Sequence, residues 1–136
     1  MLRMPSENAG LARSFCGAFN RRDLGAVLAL MHEDVRIEPR IGSLEGDFVG
    51  HEGVRRWWAQ LLTAFPDYLV SIEEIQDFDE LTLGRLRGRA HGAASTTPVV
   101  ETWWQPITWR GAKCSRWRNF ATESEAFETV QREAGR

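Results

Sequence analysis

Val99-Val100-Glu101-Thr102-Trp103-Trp104-Gln105-Pro106-Ile107-Thr108-Trp109-Arg110 runs through Gly111-Ala112 into Lys113-Cys114-Ser115-Arg116-Trp117-Arg118-Asn119-Phe120-Ala121. Aromatic and β-branched residues recur through this stretch, and a small pair divides it. It predicts two strands, Val99–Arg110 and Lys113–Ala121, turned at Gly111-Ala112. Successive side chains in a strand point to opposite faces. One face therefore collects Glu101, Trp103, Gln105, Ile107 and Trp109, with Ser115, Trp117, Asn119 and Ala121. The other collects Thr102, Trp104, Pro106, Thr108 and Arg110, with Cys114, Arg116, Arg118 and Phe120. The first face is aromatic with a few neutral polar groups, the composition of a ligand pocket or a core. The second is basic and mixed, suited to solvent or to a second subunit. Pro106 has no N–H to give, which predicts a bulge or a missing ladder bond beside Gln105.

Toward the N-terminus the signals are helical. Pro5-Ser6 opens a first helix with Ser6 as its cap, and Leu11, Phe15 and Phe19 share one face. Asn20-Arg21-Arg22-Asp23 breaks it. Asp23 caps a second short helix whose stripe is Leu24, Val27, Leu28 and Met31. His32-Glu33-Asp34 then leads into a strand, Val35–Glu38, in which Glu38 is out of phase with Val35 and Ile37 and so points outward. Pro39 to Gly50 is punctuated by glycines, with room for a brief strand near Leu44–Phe48. A third helix carries Val54, Trp57, Trp58, Leu61, Leu62 and Phe65 as a wide apolar stripe and stops at Pro66. Tyr68, Val70 and Ile72 alternate as a strand, Asp77-Phe78-Asp79-Glu80 turns the chain, and Leu81–Ala90 follows. In that last strand Arg85, Arg87 and Arg89 lie on one side, and Gly84, Leu86, Gly88 and Ala90 on the other. Small residues on that side leave room for a helix or a ligand. After a loop at His91–Pro98 and the two long strands, Thr122-Glu123-Ser124-Glu125 reads as a capping box for a final helix.

The whole is one domain by size: 136 residues, 43% hydrophobic and 26% charged, suffice for a real core. Early helices and later long strands predict an α+β fold with helices on one face of an antiparallel sheet. A net charge of −2 exerts no global pull toward nucleic acid or anionic membrane. Sixteen of the 17 basic residues are arginine, several of them beside Trp104 on the outer strand face. A dimer surface crossed by Arg–carboxylate pairs explains that better than stacking on nucleic acid. No apolar run approaches the ~20 residues of a membrane span. Met1-Leu2-Arg3-Met4-Pro5 leads into no apolar segment of a secretory signal. Cys16 and Cys114 have neither CxxC spacing nor nearby histidines, which predicts reduced thiols, a cytoplasmic location and no metal.

Four pieces, taken in order, resemble a known family. They are Phe19-Asn20-Arg21-Arg22-Asp23-Leu24, His32-Glu33-Asp34-Val35, Phe48-Val49-Gly50-His51-Glu52-Gly53-Val54, and Lys113–Phe120 followed by Glu125-Ala126-Phe127. Together they are similar to the nuclear transport factor 2-like superfamily, in its SnoaL-like branch, over nearly the whole chain. The resemblance implies a cone, in which a curved antiparallel sheet wraps three N-terminal helices and a short C-terminal helix follows. It also implies a deep apolar pocket and frequent homodimers; no cofactor is expected. That superfamily mixes isomerases, epoxide hydrolases, dehydratases and polyketide cyclases with proteins that only bind.

Carried over position by position, the family's catalytic groups are missing. Where ketosteroid isomerases have a tyrosine this chain has Phe15, which has no hydroxyl to offer an oxyanion. Their base falls near Pro39 and their neutral aspartic acid near Gln105. The paired aspartates of limonene epoxide hydrolases fall at Gln105 and Asn119, and the aspartate of SnoaL-like cyclases near Asn119. An amide keeps the shape and hydrogen bonds of a carboxylate but has no proton that titrates near neutral pH.

Expectation therefore centres on a small apolar or aromatic ligand bound by Phe15, Phe19, Trp57, Trp103, Gln105, Trp117 and Asn119. Trp57 and Trp58 also serve as ordinary core. Glu101 is the one candidate catalytic residue, read either as a base partly desolvated beside Trp103 or as a carboxylate at the mouth in water. His91 falls on the arginine side of its strand. His51, Glu52 and Asp34 read as structural. A cofactor-independent enzyme working on a polyketide- or terpenoid-like substrate is the alternative to a binding protein.

Overall fold

The computed structural model describes residues 7–39, 47–91 and 98–134. In chain order they form α1 (Glu7–Asn20), α2 (Leu24–Ala29), β1 (Met31–Glu38), β2 (Phe48–Val49), α3 (Gly50–Ala64), β3 (Leu69–Phe78), β4 (Leu81–Ala90), β5 (Val99–Arg110), β6 (Lys113–Arg118) and α4 (Glu123–Ala134). The expected Ser6 cap lies outside the described residues. The fold is α+β. A curved sheet in the order β2-β1-β6-β5-β4-β3 packs one face against α1, α2 and α3. None of the described helices is long and apolar enough to cross a membrane.

The sheet is mixed, which corrects the antiparallel expectation. β1 runs parallel to β6, with Ile37 beside Trp117, while the other neighbours are antiparallel. No hairpin joins β1 to β6, so turn geometry does not constrain their direction. The same pairing moves a boundary. Met31 begins β1 instead of closing the second helix's stripe, because Leu30 caps α2 and its carbonyl accepts the Cys114 N–H at 2.8 Å. The Asp23 cap is present, with its carboxylate accepting the Ala26 N–H at 3.0 Å.

The β5–β6 hairpin turns at Gly111-Ala112, both at positive φ (58° and 65°), as a tight two-residue turn favours. Trp109 pairs with Cys114 but Thr108 with Arg116, so Ser115 is an extra residue in β6. This bulge reverses the expected phase at one end. Cys114 enters the core beside Trp109 instead of the outer face, and Ser115 donates to the Thr108 carbonyl at 3.2 Å. Toward the other end β6 stops at Arg118, short of the expected Ala121, and an isolated bridge joins Trp104 to Phe120. Trp104 gives and takes 2.9 Å backbone bonds with Phe120. Alternation then turns the missing N–H of Pro106 toward β6, where the ladder is interrupted. The β4 side stays regular from Leu81–Thr108 to Ala90–Val99 and shows no bulge.

The outer face is only partly open. α4 lays Ala126 and Val130 over Leu81 and Leu83, with Phe78, Trp104 and Phe120 packed around them. The apolar side chains that argued for a second subunit are thus covered by the chain's own last helix. Glu38 points outward as expected and accepts from Arg116 at 3.0 and 2.8 Å, while Arg118 donates to Glu133 at 2.9 Å. Those pairs tie β1, β6 and α4 together.

Candidate functional site

Phe19-Asn20-Arg21-Arg22-Asp23 sets one wall of the site through hydrogen bonds. Asn20 pairs with the backbone of Val70, giving 2.8 Å from its amide nitrogen and taking 3.0 Å at its oxygen. It holds α1 against β3, the edge strand of the sheet. Arg22, at φ 62°, donates to the carbonyls of Pro66 at 2.9 Å and Tyr68 at 2.7 Å. The turn out of α3 is clamped there, and Tyr68 is delivered to the interior. On the opposite side, Gly53 lets α3 cross β2 closely, since a Cβ there would stand 2.8 Å from the Phe48 carbonyl carbon.

Between these walls lies a cavity that the seven expected residues line together: Phe15 and Phe19 of α1, Trp57 of α3, Trp103 and Gln105 of β5, Trp117 of β6, and Asn119 just beyond it. Its atom-free space is about 390 Å³ including the open mouth, but the enclosed part has room for only a water or two. Edge-to-face rings close it, Trp57 on Trp117 at 5.4 Å and Phe19 on Tyr68 at 6.0 Å. Trp104–Phe120 and Ile107–Trp117 keep one register, which sets Gln105 directly opposite Asn119. Their side chains meet inside, with Gln105 Nε2 donating to Asn119 Oδ1 at 3.0 Å.

Five further lining residues escaped the sequence reading: Cys16, Leu61, Tyr68, Val70 and Leu86. Their signal was present. Cys16 follows Phe15, Leu61 sits on the α3 stripe, Tyr68 and Val70 share a parity, and Leu86 shares that of Gly84 and Gly88. What was missing was the tertiary fact that these faces converge. The room left by Gly88 is taken by the protein itself. An added Cβ would run into the Tyr68 hydroxyl and stand 2.8 Å from the Trp103 ring.

The cavity's polar groups are neutral. Burial pushes the Cys16 thiol up to about 12, so at neutral pH it is no thiolate nucleophile. Burial, with a smaller contribution from the Glu101 charge, holds the Tyr68 phenol above its ordinary value. Glu101 shares the inner parity of β5 but stands outside the lining, half-exposed and opposite Gly88. His91 lies away from the cavity, its ring 2.9 Å from the Asp67 carboxylate at the surface. His51 meets the Met31 carbonyl at 3.1 Å, and Asp34 accepts from Arg110 at 2.9 Å, both structural roles. Among the described residues no three His, Cys, Asp or Glu side chains gather as a metal set.

The sequence profile of the SnoaL-like domain matches residues 12–119. This chain belongs to the SnoaL-like family. No curated protein sequence matches it. Solved structures of the same fold are numerous and distant in sequence. An NTF2-like protein of unknown function from Burkholderia pseudomallei is 20% identical at TM-score 0.77, over 89% of this chain and 95% of its own. TerC, co-crystallized with polyporic acid, is 19% identical at TM-score 0.76, over 91% and 98%. A protein with a ketosteroid isomerase-like fold from Catenulispora acidiphila, in complex with trimethylamine, is 14% identical at TM-score 0.74, over 84% and 86%. Likeness at this level shows that the SnoaL-like chain shares their fold.

Proposed function

We propose that this SnoaL-like protein binds a small, flat, mostly apolar molecule and does no acid–base chemistry on it. The observation that carries the reading is the Gln105–Asn119 amide pair, hydrogen-bonded at 3.0 Å within an aromatic cavity. The resemblance places the paired aspartates of limonene epoxide hydrolases at these two positions, and two amides joined to each other offer no proton to move near neutral pH. A ligand larger than two waters enters by displacing cavity side chains. That TerC, which shares this fold, was co-crystallized with polyporic acid supports a small-molecule ligand here. The same reading keeps the 136 residues as one domain in the cytoplasm, supported by two free cysteines. It also keeps a homodimer through the outer sheet face beyond α4, where Arg85 and Arg87 pair with Glu74 and Glu73 at 3.8 and 4.0 Å.

One observation favours an enzyme instead, acting without cofactor on a polyketide- or terpenoid-like substrate. Glu101 lies near enough to the buried Tyr68 for its charge to help raise that phenol, which puts a carboxylate and a phenol within electrostatic reach of each other. Mass spectrometry of whatever copurifies, with turnover assays on released candidates, decides between them. A bound molecule recovered unchanged is the expected result. Turnover that falls about 100-fold or more in Glu101→Gln, with binding retained, would overturn it.

A further inference from the structure

Five buried polar atoms on cavity-lining residues have no hydrogen-bond partner among the described residues. They are the Tyr68 hydroxyl, the indole nitrogens of Trp57, Trp103 and Trp117, and Nδ2 of Asn119. Indole and amide nitrogens can only donate, and a phenol can donate. Buried polar groups in folded proteins are overwhelmingly paired, so five orphans on the residues that line one cavity need an explanation. By contrast, Trp109 Nε1, on the same sheet face, donates to the Thr82 hydroxyl at 2.9 Å, and among the described residues outside the cavity the unpaired buried side-chain atom is Glu133 Oε2.

We infer that Tyr68 is the polar anchor of this cavity and that the ligand carries accepting oxygens, carbonyl or phenolate, which the surrounding donors engage. The inference rests on the cavity being a ligand site. Tyr68 is the chain's single tyrosine, 4% exposed, and three features hold its ring. Arg22 clamps its carbonyl at 2.7 Å, Phe19 and Trp103 flank it at 6.0 and 6.5 Å, and Gly88 makes way for its hydroxyl. Burial also keeps that phenol protonated, and so a donor, throughout the neutral range. Gln105 differs in that one of its two amide N–H groups is already engaged by Asn119. Donors without a matching acceptor favour an oxygen-bearing ring system over a bare hydrocarbon of the same shape. They disfavour an ammonium, which brings only more donors.

The test uses 1-tetralone and tetralin, one fused-ring skeleton with and without a carbonyl oxygen, titrated by calorimetry into the whole protein and into Tyr68→Phe. The natural protein should bind 1-tetralone at least about tenfold more tightly than tetralin. Tyr68→Phe should lose most of that preference and melt no lower, since it deletes a buried hydroxyl that has no partner among the described residues. Equal affinity for the two probes, or an unchanged preference in Tyr68→Phe, would overturn the anchor while leaving the cavity a ligand site. A lower melting point for Tyr68→Phe would show that the hydroxyl is satisfied within the fold and would overturn it too. If neither probe binds, the ligand reading falls and this inference with it.

Discussion

Gln105 and Asn119, fourteen residues apart, face each other across β5 and the end of β6 and share one buried hydrogen bond of 3.0 Å. Both are nearly inaccessible, at 7% and 3% exposure. The bond restrains both amides in the cavity and leaves Asn119 Nδ2 unpaired. Gln105→Leu should destabilise the protein by about 1–3 kcal/mol, because the Asn119 oxygen is left buried and alone. Gln105→Leu with Asn119→Leu should cost less than the sum of the single changes. A double-mutant cycle by urea denaturation measures that coupling, and strictly additive losses would show that the bond contributes nothing.

Gly88 lies on the same sheet face, in the neighbouring strand β4. Gly88→Ala should cost about 1–3 kcal/mol through overpacking, as the new methyl meets the Tyr68 hydroxyl and the Trp103 ring. Adding Tyr68→Phe should recover part of the loss, and only part, because the ring carbons still crowd the methyl. A wild-type denaturation midpoint for Gly88→Ala would mean that both rings retreat freely.

At the start of α4, Thr122 accepts the Glu125 N–H at 3.3 Å and donates to the Glu125 carboxylate at 3.0 Å. Thr122→Ala should remove about 1 kcal/mol. Because α4 covers Trp104 and Phe120, loosening its first turn should also redden and quench tryptophan emission. An unchanged midpoint would show that the helix start is held by packing alone.

Acid should act at the exposed pair of Asp67 and His91. The His91 ring and then its backbone N–H hold the Asp67 carboxyl below its ordinary range. A carboxylate whose folded value is depressed contributes stability above its unfolded value, near pH 3.8, and loses it as pH falls through the folded value. Asp67→Asn should therefore flatten the acid limb of the melting-temperature profile and change little near neutrality. An identical acid limb in the variant would place the titration elsewhere.

Local pattern was enough to determine the elements and most of their faces. The bounds of Val99–Arg110 and Leu81–Ala90, the α3 stripe and the Asp23 and Thr122 caps all follow from periodicity or turn chemistry, which are properties of neighbours in the chain. Tertiary structure decided the rest. The parallel β1–β6 pairing drew Met31 out of a helical stripe, and a bulge at Ser115 turned Cys114 into the core. Tyr68 became part of the cavity only because Arg22 clamps the chain around it and Gly88 leaves space for its hydroxyl. Trp104 and Phe120 read as a subunit surface until α4 came to rest on them. Each of these depends on a partner tens of residues away. Periodicity records which side of an element is apolar, while only the packed chain determines what that side meets.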